Sequence, residues 1–346
     1  MRRRDFGRSL ASAALWGSRA ICAANKPFLI GFANGGLNWP LFVASAGDYY
    51  AKYGLSAELA FSPHPAGMAM LVSGQAKVLH YSLEQALQAA ASQPSLRFIC
   101  SLINRGAFAL LAWSDIKTLN DLKGKRIGIG QVGDANFGFA ASILATNGVH
   151  ARETEWIPLG SSVETRVAAL LSRRVDAAML TAPSYFRIEN TSIRILIDFA
   201  KHPEIYASSV LVVDNRVLKE ELTLGASLIQ AHADSIERFY RDKQFAIASF
   251  LKYQPMFDAS DVARMYDLYA LPRAFERVPY VLGDAIRSVI RQEADPQIKA
   301  KLTSINLREV VQNRFIDGLI GSGFFEKTFG PAIRKDLESS RTRAFR

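Results

Sequence analysis

Leu119-Asn120-Asp121-Leu122-Lys123-Gly124-Lys125-Arg126-Ile127-Gly128-Ile129-Gly130 is followed by Leu159-Gly160-Ser161-Ser162 and then by Val175-Asp176-Ala177-Ala178-Met179-Leu180-Thr181-Ala182-Pro183. Each apolar run ends in a small or hydroxylated residue just where a helix is expected to begin. Strand ends and helix starts of this kind bring backbone N–H groups and short side chains to one cleft. The pattern therefore predicts an α/β chain with a surface for a small molecule.

Upstream, the same alternation is visible. Phe28 to Ala33 reads as a strand, Leu41 to Tyr53 as a helix closed by Gly54, Ser56 to Phe61 as a strand, and Ala66 to Ser73 as a helix closed by Gly74. Val78 to Tyr81, Leu83 to Ala91 and Leu96 to Ile103 continue as strand, helix and strand. Short strands joined by helices imply parallel sheets with right-handed crossovers. The pattern returns at an offset of 99 residues: Ile30-Gly31 falls on Ile129-Gly130, Leu71 through Ser82 on Leu170 through Thr181, and Ser62 on Ser161. Two lobes of similar build are expected, with their strand ends facing each other.

From Arg216 onward the pattern is helical: Leu222 to Leu251, Asp261 to Tyr269, Val281 to Ala294 and Arg308 to Leu319. Asp258 and Ser260 are placed to cap the second of these. No linker rich in Pro, Gly or Ser intervenes, so this section is expected to pack on the first lobe. The polar tail Leu337 to Arg346 reads as loose.

The N-terminus carries Arg2-Arg3-Arg4-Asp5-Phe6, the apolar run Leu10 to Leu15, and then Ala20-Ile21-Cys22-Ala23-Ala24. That order is the order of a cleavable export signal, and twin arginines before Phe6 favour the Tat machinery over Sec. The run is far short of the roughly 20 residues that a spanning helix needs, and Arg19 interrupts it. Cys22 lacks a small-residue lead-in, so a soluble periplasmic protein is expected after residues 1–24 are removed. The full chain has 42 basic and 32 acidic side chains, a net +10. Residues 1–24 hold five arginines and one aspartate, and without them the excess is +6. The charge is dispersed, and its densest run, Lys123 to Arg126, is too short for a nucleic-acid stripe. No nucleic-acid partner is expected. Cys100 is the one thiol of the mature chain, so no disulfide framework is available. An apolar fraction of 49% supplies material for two cores.

Candidate ligand contacts lie where strands hand over to helices. Ala33 to Trp39 follows the first strand and opens the first helix, where unpaired N–H groups and the positive dipole end favour an anionic or strongly accepting group. Asn34, Gly35, Asn38 and Trp39 are its candidates. Glycine admits a ligand close to the backbone, and Trp39 either stacks on the ligand, walls the pocket, or sits in the core behind a tight turn. The counterpart in the second half is Gln131 to Phe137, with Gly133, Asp134, Ala135 and Asn136. Pro65, Ala66 and Ser82 from the first half, and Ser161, Ser162, Thr181 and Tyr185 from the second, converge on the same cleft, although serines and threonines at helix starts also serve as caps. Asn104-Arg105, at the first crossing between lobes, meets a carboxylate or sulfonate, or else forms a hinge salt bridge.

Pro40-Leu41-Phe42-Val43-Ala44, Tyr53-Gly54-Leu55, Leu119 to Arg126, and Arg174-Val175-Asp176-Ala177-Ala178 followed by Pro183 resemble the nitrate/sulfonate/taurine (NMT1/THI5-like) family of ABC-transporter periplasmic substrate-binding proteins over residues 28–215. The resemblance implies a type II periplasmic-binding-protein fold: two α/β lobes with mostly parallel sheets around a central ligand cleft, and a helical C-terminal section. On this expectation residues 26–106 and 210–335 form lobe 1, residues 107–209 form lobe 2, and 336–346 is a loose tail. It also implies a monomer that uses no cofactor, holds its ligand between closing lobes, and delivers it to an ABC permease and its ATPase. Ligand contacts are implied in the loop after the first strand. Lys77 stands where the family often has an acid and Arg173 where a glycine is common, while Gly47-Asp48-Tyr49-Tyr50 replaces a glutamate-lysine-glycine-phenylalanine run. Helix N-termini point to a sulfonate, nitrate, taurine or carboxylate, whereas Trp39, Tyr81, Phe137 and Tyr185 suit an aromatic heterocycle such as a thiamine-precursor pyrimidine.

Gly128-Ile129-Gly130-Gln131-Val132-Gly133 has the G-x-G-x-x-G form of a dinucleotide site, but the acid expected after the next strand is missing. His64, His80, His150, His202 and His232 have no metal-ligand spacing, and no G-x-S-x-G elbow or paired carboxylates appear. Related pyrimidine synthases share the implied fold, but their cysteine-rich iron motif is absent here. A binder, not an enzyme, is expected. Changing Arg3 and Arg4 together to lysine should leave the precursor in the cytoplasm, as fractionation would show; normal periplasmic delivery would assign the signal to Sec.

Overall fold

The apolar strand β1 (Phe28–Phe32) pairs in parallel with β2 (Ala57–Phe61) on one side and β3 (Ala76–Ser82) on the other. In this computed structural model the described residues are 27–346 apart from 33–34, 63–65, 106–107, 133–134, 161, 189–191, 200–208 and 294, and the side chains of 135–136. The export signal expected at 1–24 lies outside them. Helices α1 (Trp39–Ala46) and α2 (Tyr49–Lys52) connect β1 to β2, α3 (Ala66–Val72) connects β2 to β3, and α4 (Leu83–Ser92) leads from β3 to β4 (Leu96–Ile103). The single helix expected over 41–53 is broken because Asp48 turns into the left-handed region at φ 56°.

A second sheet begins at β5 (Phe108–Trp113) and takes in β6 (Arg126–Ile129), β7 (Glu155–Pro158), β8 (Ala177–Thr181) and β9 (Ile193–Asp198). Helices α5 (Ala135–Thr146) and α6 (Val163–Leu171) make its parallel crossovers. The chain then returns to the first sheet as β10 (Ser209–Asp214), inserted antiparallel between β3 and β4. Strand orders are β2-β1-β3-β10-β4 and β7-β6-β8-β5-β9. These are one arrangement used twice: a parallel trio, then an antiparallel strand that has just crossed from the other lobe, then an outer strand. The offset of 99 residues superposes the two trios.

In β5 and β8, buried on both faces, alternation divides the side chains between two cores. Phe108, Leu110, Ala112, Ala177 and Met179 pack on the α5 side with Phe137, Phe139 and Leu144. Ala109, Leu111, Ala178 and Leu180 belong with Leu170 to the larger core that includes lobe 1. Leu37 packs against both cores.

After α7 (Asn215–Glu220), helices α8 (Leu224–Arg241), α9 (Lys243–Tyr253), α10 (Ala259–Ala270), α11 (Gly283–Gln292), α12 (Pro296–Thr303), α13 (Leu307–Val310), α14 (Arg314–Gly321), α15 (Phe324–Phe329) and α16 (Arg334–Arg343) complete the fold. The one helix expected over 222–251 is two, because the Asp242 carboxylate accepts the Phe245 N–H and caps α9. The helix expected over 308–319 is likewise split into α13 and α14. Among the described residues no helix is long and apolar enough to cross a membrane. Two departures noted in the sequence have local explanations. Lys77 pairs with Glu221, and Arg173 adopts φ 56°, in the left-handed region that favours glycine, while its guanidinium lies 4.0 Å from the centre of the Trp113 ring.

The expected loose tail is corrected: α16 continues to Arg343, Leu337 and Ala344 are buried, and Arg346 pairs with Asp317. Buried Asn313 holds it by accepting the Val281 N–H and donating to the carbonyls of Val281 and Phe345, all at 3.0 Å. Asn313→Ala would leave these backbone groups unpaired and should lower the unfolding free energy by about 2–3 kcal/mol in a urea melt. An unchanged midpoint would contradict this anchoring role.

Candidate functional site

Parallel pairing puts the C-terminal ends of β1, β2, β3 and β4 on one edge of the first sheet, and Ser209 at the start of β10 lies on it opposite Ser82 and Ile103. On the second sheet the ends of β6, β7, β8 and β9 share an edge with Phe108, which lies opposite Thr181. Both crossings between lobes, 103–108 and 198–209, run from one of these edges to the other. The edges therefore border a common cleft, and α1, α3, α4, α5 and α6 all start from them.

Some expected contacts stand open on these edges. Gly35 has φ 116°, with no atom within 4 Å of where a Cβ would project. Ala66 is exposed at the start of α3. Ser82 is half-buried at the N-cap of α4, yet its side chain makes no capping bond. Thr181 is half-buried at the end of β8. Ser162 is exposed, but it works as a cap, accepting the Thr165 N–H at 3.3 Å while its hydroxyl donates to Glu164. Asn34, Pro65, Gly133, Asp134 and Ser161 lie outside the described residues, and Ala135 and Asn136 are placed only as the first residues of α5.

Four expected contacts are buried and engaged within the protein. Trp39 is 0% exposed; its indole N–H donates to the Ala246 carbonyl at 2.7 Å, and its ring packs against Phe239, Phe250, Tyr266 and Tyr269. It joins α1 to the C-terminal helices and offers no stacking face. Tyr185 is buried with its ring edge-on to Phe186. Asn104 is buried, donating to Glu276 at 3.0 Å and accepting from Ser101 at 3.2 Å, so it ties the first crossing to the segment after α10. Asn38 is buried too, and its role is to hold the loop: its amide nitrogen lies 3.3 Å from the Gly35 carbonyl.

Asn38 belongs to a relay that sequence reasoning missed. Its Oδ1 lies 2.8 Å from His80 Nδ1, and His80 Nε2 lies 2.7 Å from Ser209 Oγ. With the Asn38 nitrogen committed to Gly35, Nδ1–H must donate to Oδ1, and Nε2 accepts the Ser209 hydroxyl proton. A neutral imidazole thus joins the loop after β1, the end of β3 and the start of β10. Burial pushes its pKa down to about 3, with the nearby His232 acting in the same direction. The sequence signal was a histidine within the apolar run Val78 to Tyr81. In lobe 2, buried Arg166 donates to the carbonyls of Met179 and Gly160, at 2.9 and 2.8 Å, and so holds the β7–α6 turn against β8.

Among the described residues no group of three or more His, Cys, Asp or Glu is placed to hold a metal ion. The Cys100 thiol is fully buried in β4, and burial pushes its pKa up beyond the range in which a thiolate forms near neutral pH.

The family model described as NMT1/THI5 like matches residues 38–246. In fold the chain is similar to the alkanesulfonate-binding protein SsuA from Xanthomonas axonopodis pv. citri bound to MOPS, with a TM-score of 0.66 and 17% identity over 83% of this chain and 98% of that one. It is similar to the periplasmic aliphatic sulphonate binding protein SsuA from Escherichia coli, with a TM-score of 0.68 and 16% identity over 84% and 99% of the two chains. It is also similar to the desulfurization enzyme DSZB in complex with biphenyl-2-sulfinic acid, with a TM-score of 0.66 and 16% identity over 85% and 99%. These likenesses establish the two-lobed periplasmic-binding-protein fold. A search of curated proteins returned no match.

His80 and His232 make stability depend on pH. His232 is also fully buried, with Nδ1 2.7 Å from the Leu228 carbonyl and Nε2 3.1 Å from the Tyr50 hydroxyl, and burial lowers its pKa to about 4. In the unfolded chain both imidazoles protonate near pH 6.5, whereas the folded protein takes up these protons only near pH 3 to 4. Stability is therefore lost as pH falls through that window. Each histidine should contribute a slope approaching about 1.4 kcal/mol per pH unit below pH 6. Urea melts between pH 6 and pH 5 check this, with a shallower slope expected for His232→Gln.

Proposed function

Since the chain belongs to the NMT1/THI5-like family, we propose that it is the solute-binding component of an ABC importer, working in the periplasm and holding a small organic anion of the sulfonate, nitrate, taurine or carboxylate type between its lobes. The observation that carries this reading is the origin of five helices, α1, α3, α4, α5 and α6, on the two facing strand edges. Their N-terminal N–H groups and dipole ends favour an acceptor with negative charge. Gly35, Ser82 and Thr181 supply close backbone approach and hydroxyl groups from both lobes.

The aromatic-heterocycle alternative has less support, because Trp39, Tyr81, Phe137 and Tyr185 are all buried. The fold shared with DSZB raises an enzymatic reading, which Cys100 does not support: it lies in the core of lobe 1 and its thiol stays protonated. A ligand touching both edges favours the closed arrangement, and permease docking then reads closure as occupancy.

Calorimetric titration with taurine, short alkanesulfonates, nitrate, small carboxylates and an aminopyrimidine tests the reading. One of the anions should bind with 1:1 stoichiometry and be recovered unchanged by mass spectrometry after long incubation. Ser82→Ala and Thr181→Val, one from each lobe, should each weaken that binding about threefold to tenfold without moving the melting temperature. Chemical conversion of the bound compound would overturn the transport reading, and binding of the pyrimidine alone would overturn the anion.

A further inference from the structure

The lobes also touch along the two rims of the cleft, away from the strand ends. On one rim α5 meets α4 and α11 around a 20 Å³ hollow lined by Gln88, Phe137, Gly138 and Gln292. On the other, Phe186 and Arg187 of lobe 2 meet α10, which is packed on lobe 1 by Tyr266 and Tyr269. Arg187 Nη2 donates to Asp258, Arg187 Nε lies 3.2 Å from Asp261 Oδ2, and the Arg264 guanidinium sits 4.1 Å from the centre of the Phe186 ring. One guanidinium from lobe 2 thus bridges two carboxylates of lobe 1, while a cation of lobe 1 covers an aromatic ring of lobe 2.

Asp258 occupies the N-cap position of α10, where an aspartate ordinarily accepts N–H groups of its own helix. Here its side chain makes no capping bond and is turned to Arg187 instead. The contact is also continuous with the candidate site, since Thr181 at the edge of β8 and Arg187 lie only six residues apart on one chain segment. Side-chain exposures of 61% for Arg187, 68% for Asp258 and 21% for Asp261 make this a wet, salt-screened contact. A contact of that strength biases an equilibrium without locking it.

We propose that Arg187 and Phe186 form a clasp with α10 across the mouth of the cleft that sets the ratio of closed to open lobes, and with it the affinity and release rate of whatever the cleft binds. Its purpose rests on the solute-binding reading, but its existence does not. Affinity follows because a ligand that requires the closed form binds in proportion to the fraction already closed. An exposed ion pair together with a cation–π contact made by an exposed guanidinium on a buried ring changes that ratio by about threefold to tenfold.

Spin labels at Leu171→Cys on lobe 2 and Leu222→Cys on lobe 1, both exposed positions, allow the distance between lobes to be measured in the full chain without ligand. At low salt one separation should dominate. Arg187→Gln, or Asp258→Asn with Asp261→Asn, should enlarge a second population about threefold to tenfold relative to the first, and high salt should do the same to the wild type but nothing further to the variants. Thermal melts confirm that the variants are folded. Distance distributions of both variants that superpose on the wild type at low and high salt would overturn the clasp. Failure of every compound in the titration panel to bind would leave these distances unchanged, so the two outcomes are separable.

Discussion

Ile103 ends the outer strand of one sheet and Phe108 begins a central strand of the other, five residues later. A fully extended chain of that length covers about 17 Å, so the two strand edges have to face each other closely. Much of the architecture of the cleft follows from this short tether. Parallel strands put their C-terminal ends on one edge, right-handed crossovers put helix starts beside them, and the tether makes the two edges opposite walls. The second crossing, from Asp198 to Ser209, returns the chain to lobe 1 and closes the connection.

Lobe 1 is far more heavily backed than lobe 2. Helix α1, which begins at the cleft, is held from behind by α8, α9 and α10 through Trp39, Phe239, Phe250 and Tyr266. The relay Asn38, His80 and Ser209 fixes the loop in front of α1 to strands distant in sequence. Desolvation keeps the imidazole neutral, so the relay is a fixed set of hydrogen bonds near neutral pH. Lobe 2 has less helical backing and is joined to this frame by the crossings, by the apolar side chains it shares with the larger core, and by contacts at the two rims.

The fold was legible in the sequence because its signals are local. Alternation of apolar runs with helix-closing glycines, repeated at an offset of 99, contains the two trios of strands before any long-range contact is known. Which side chains face the cleft was much less legible. Trp39 and Tyr185 have the composition of ligand contacts, but the direction of Trp39 is decided by α8 to α10, some two hundred residues downstream. His80 looked isolated because its partners, Asn38 and Ser209, come from elements 42 residues before it and 129 after it. The tail looked loose because its composition is polar, and the buried amide that anchors it, Asn313, stands at the start of α14, far from the tail in sequence. Hydrogen bonds to main-chain carbonyls leave almost no trace in composition.

Insertion of β10 between β3 and β4 bears on how the molecule assembles. Every strand of the second sheet lies within residues 108–198, a continuous stretch whose sheet can close on itself as soon as it is synthesised. The first sheet, although most of it is made earlier, lacks its fourth strand until residue 214 has emerged, and until then the facing edges of β3 and β4 have no pairing partner between them. The half of the chain that leaves the ribosome first is therefore the last to finish its sheet. Unpaired strand edges are templates for wrong partners. During synthesis the exposure to misassembly falls on lobe 1, and it ends when a strand delivered from beyond lobe 2 fills the gap.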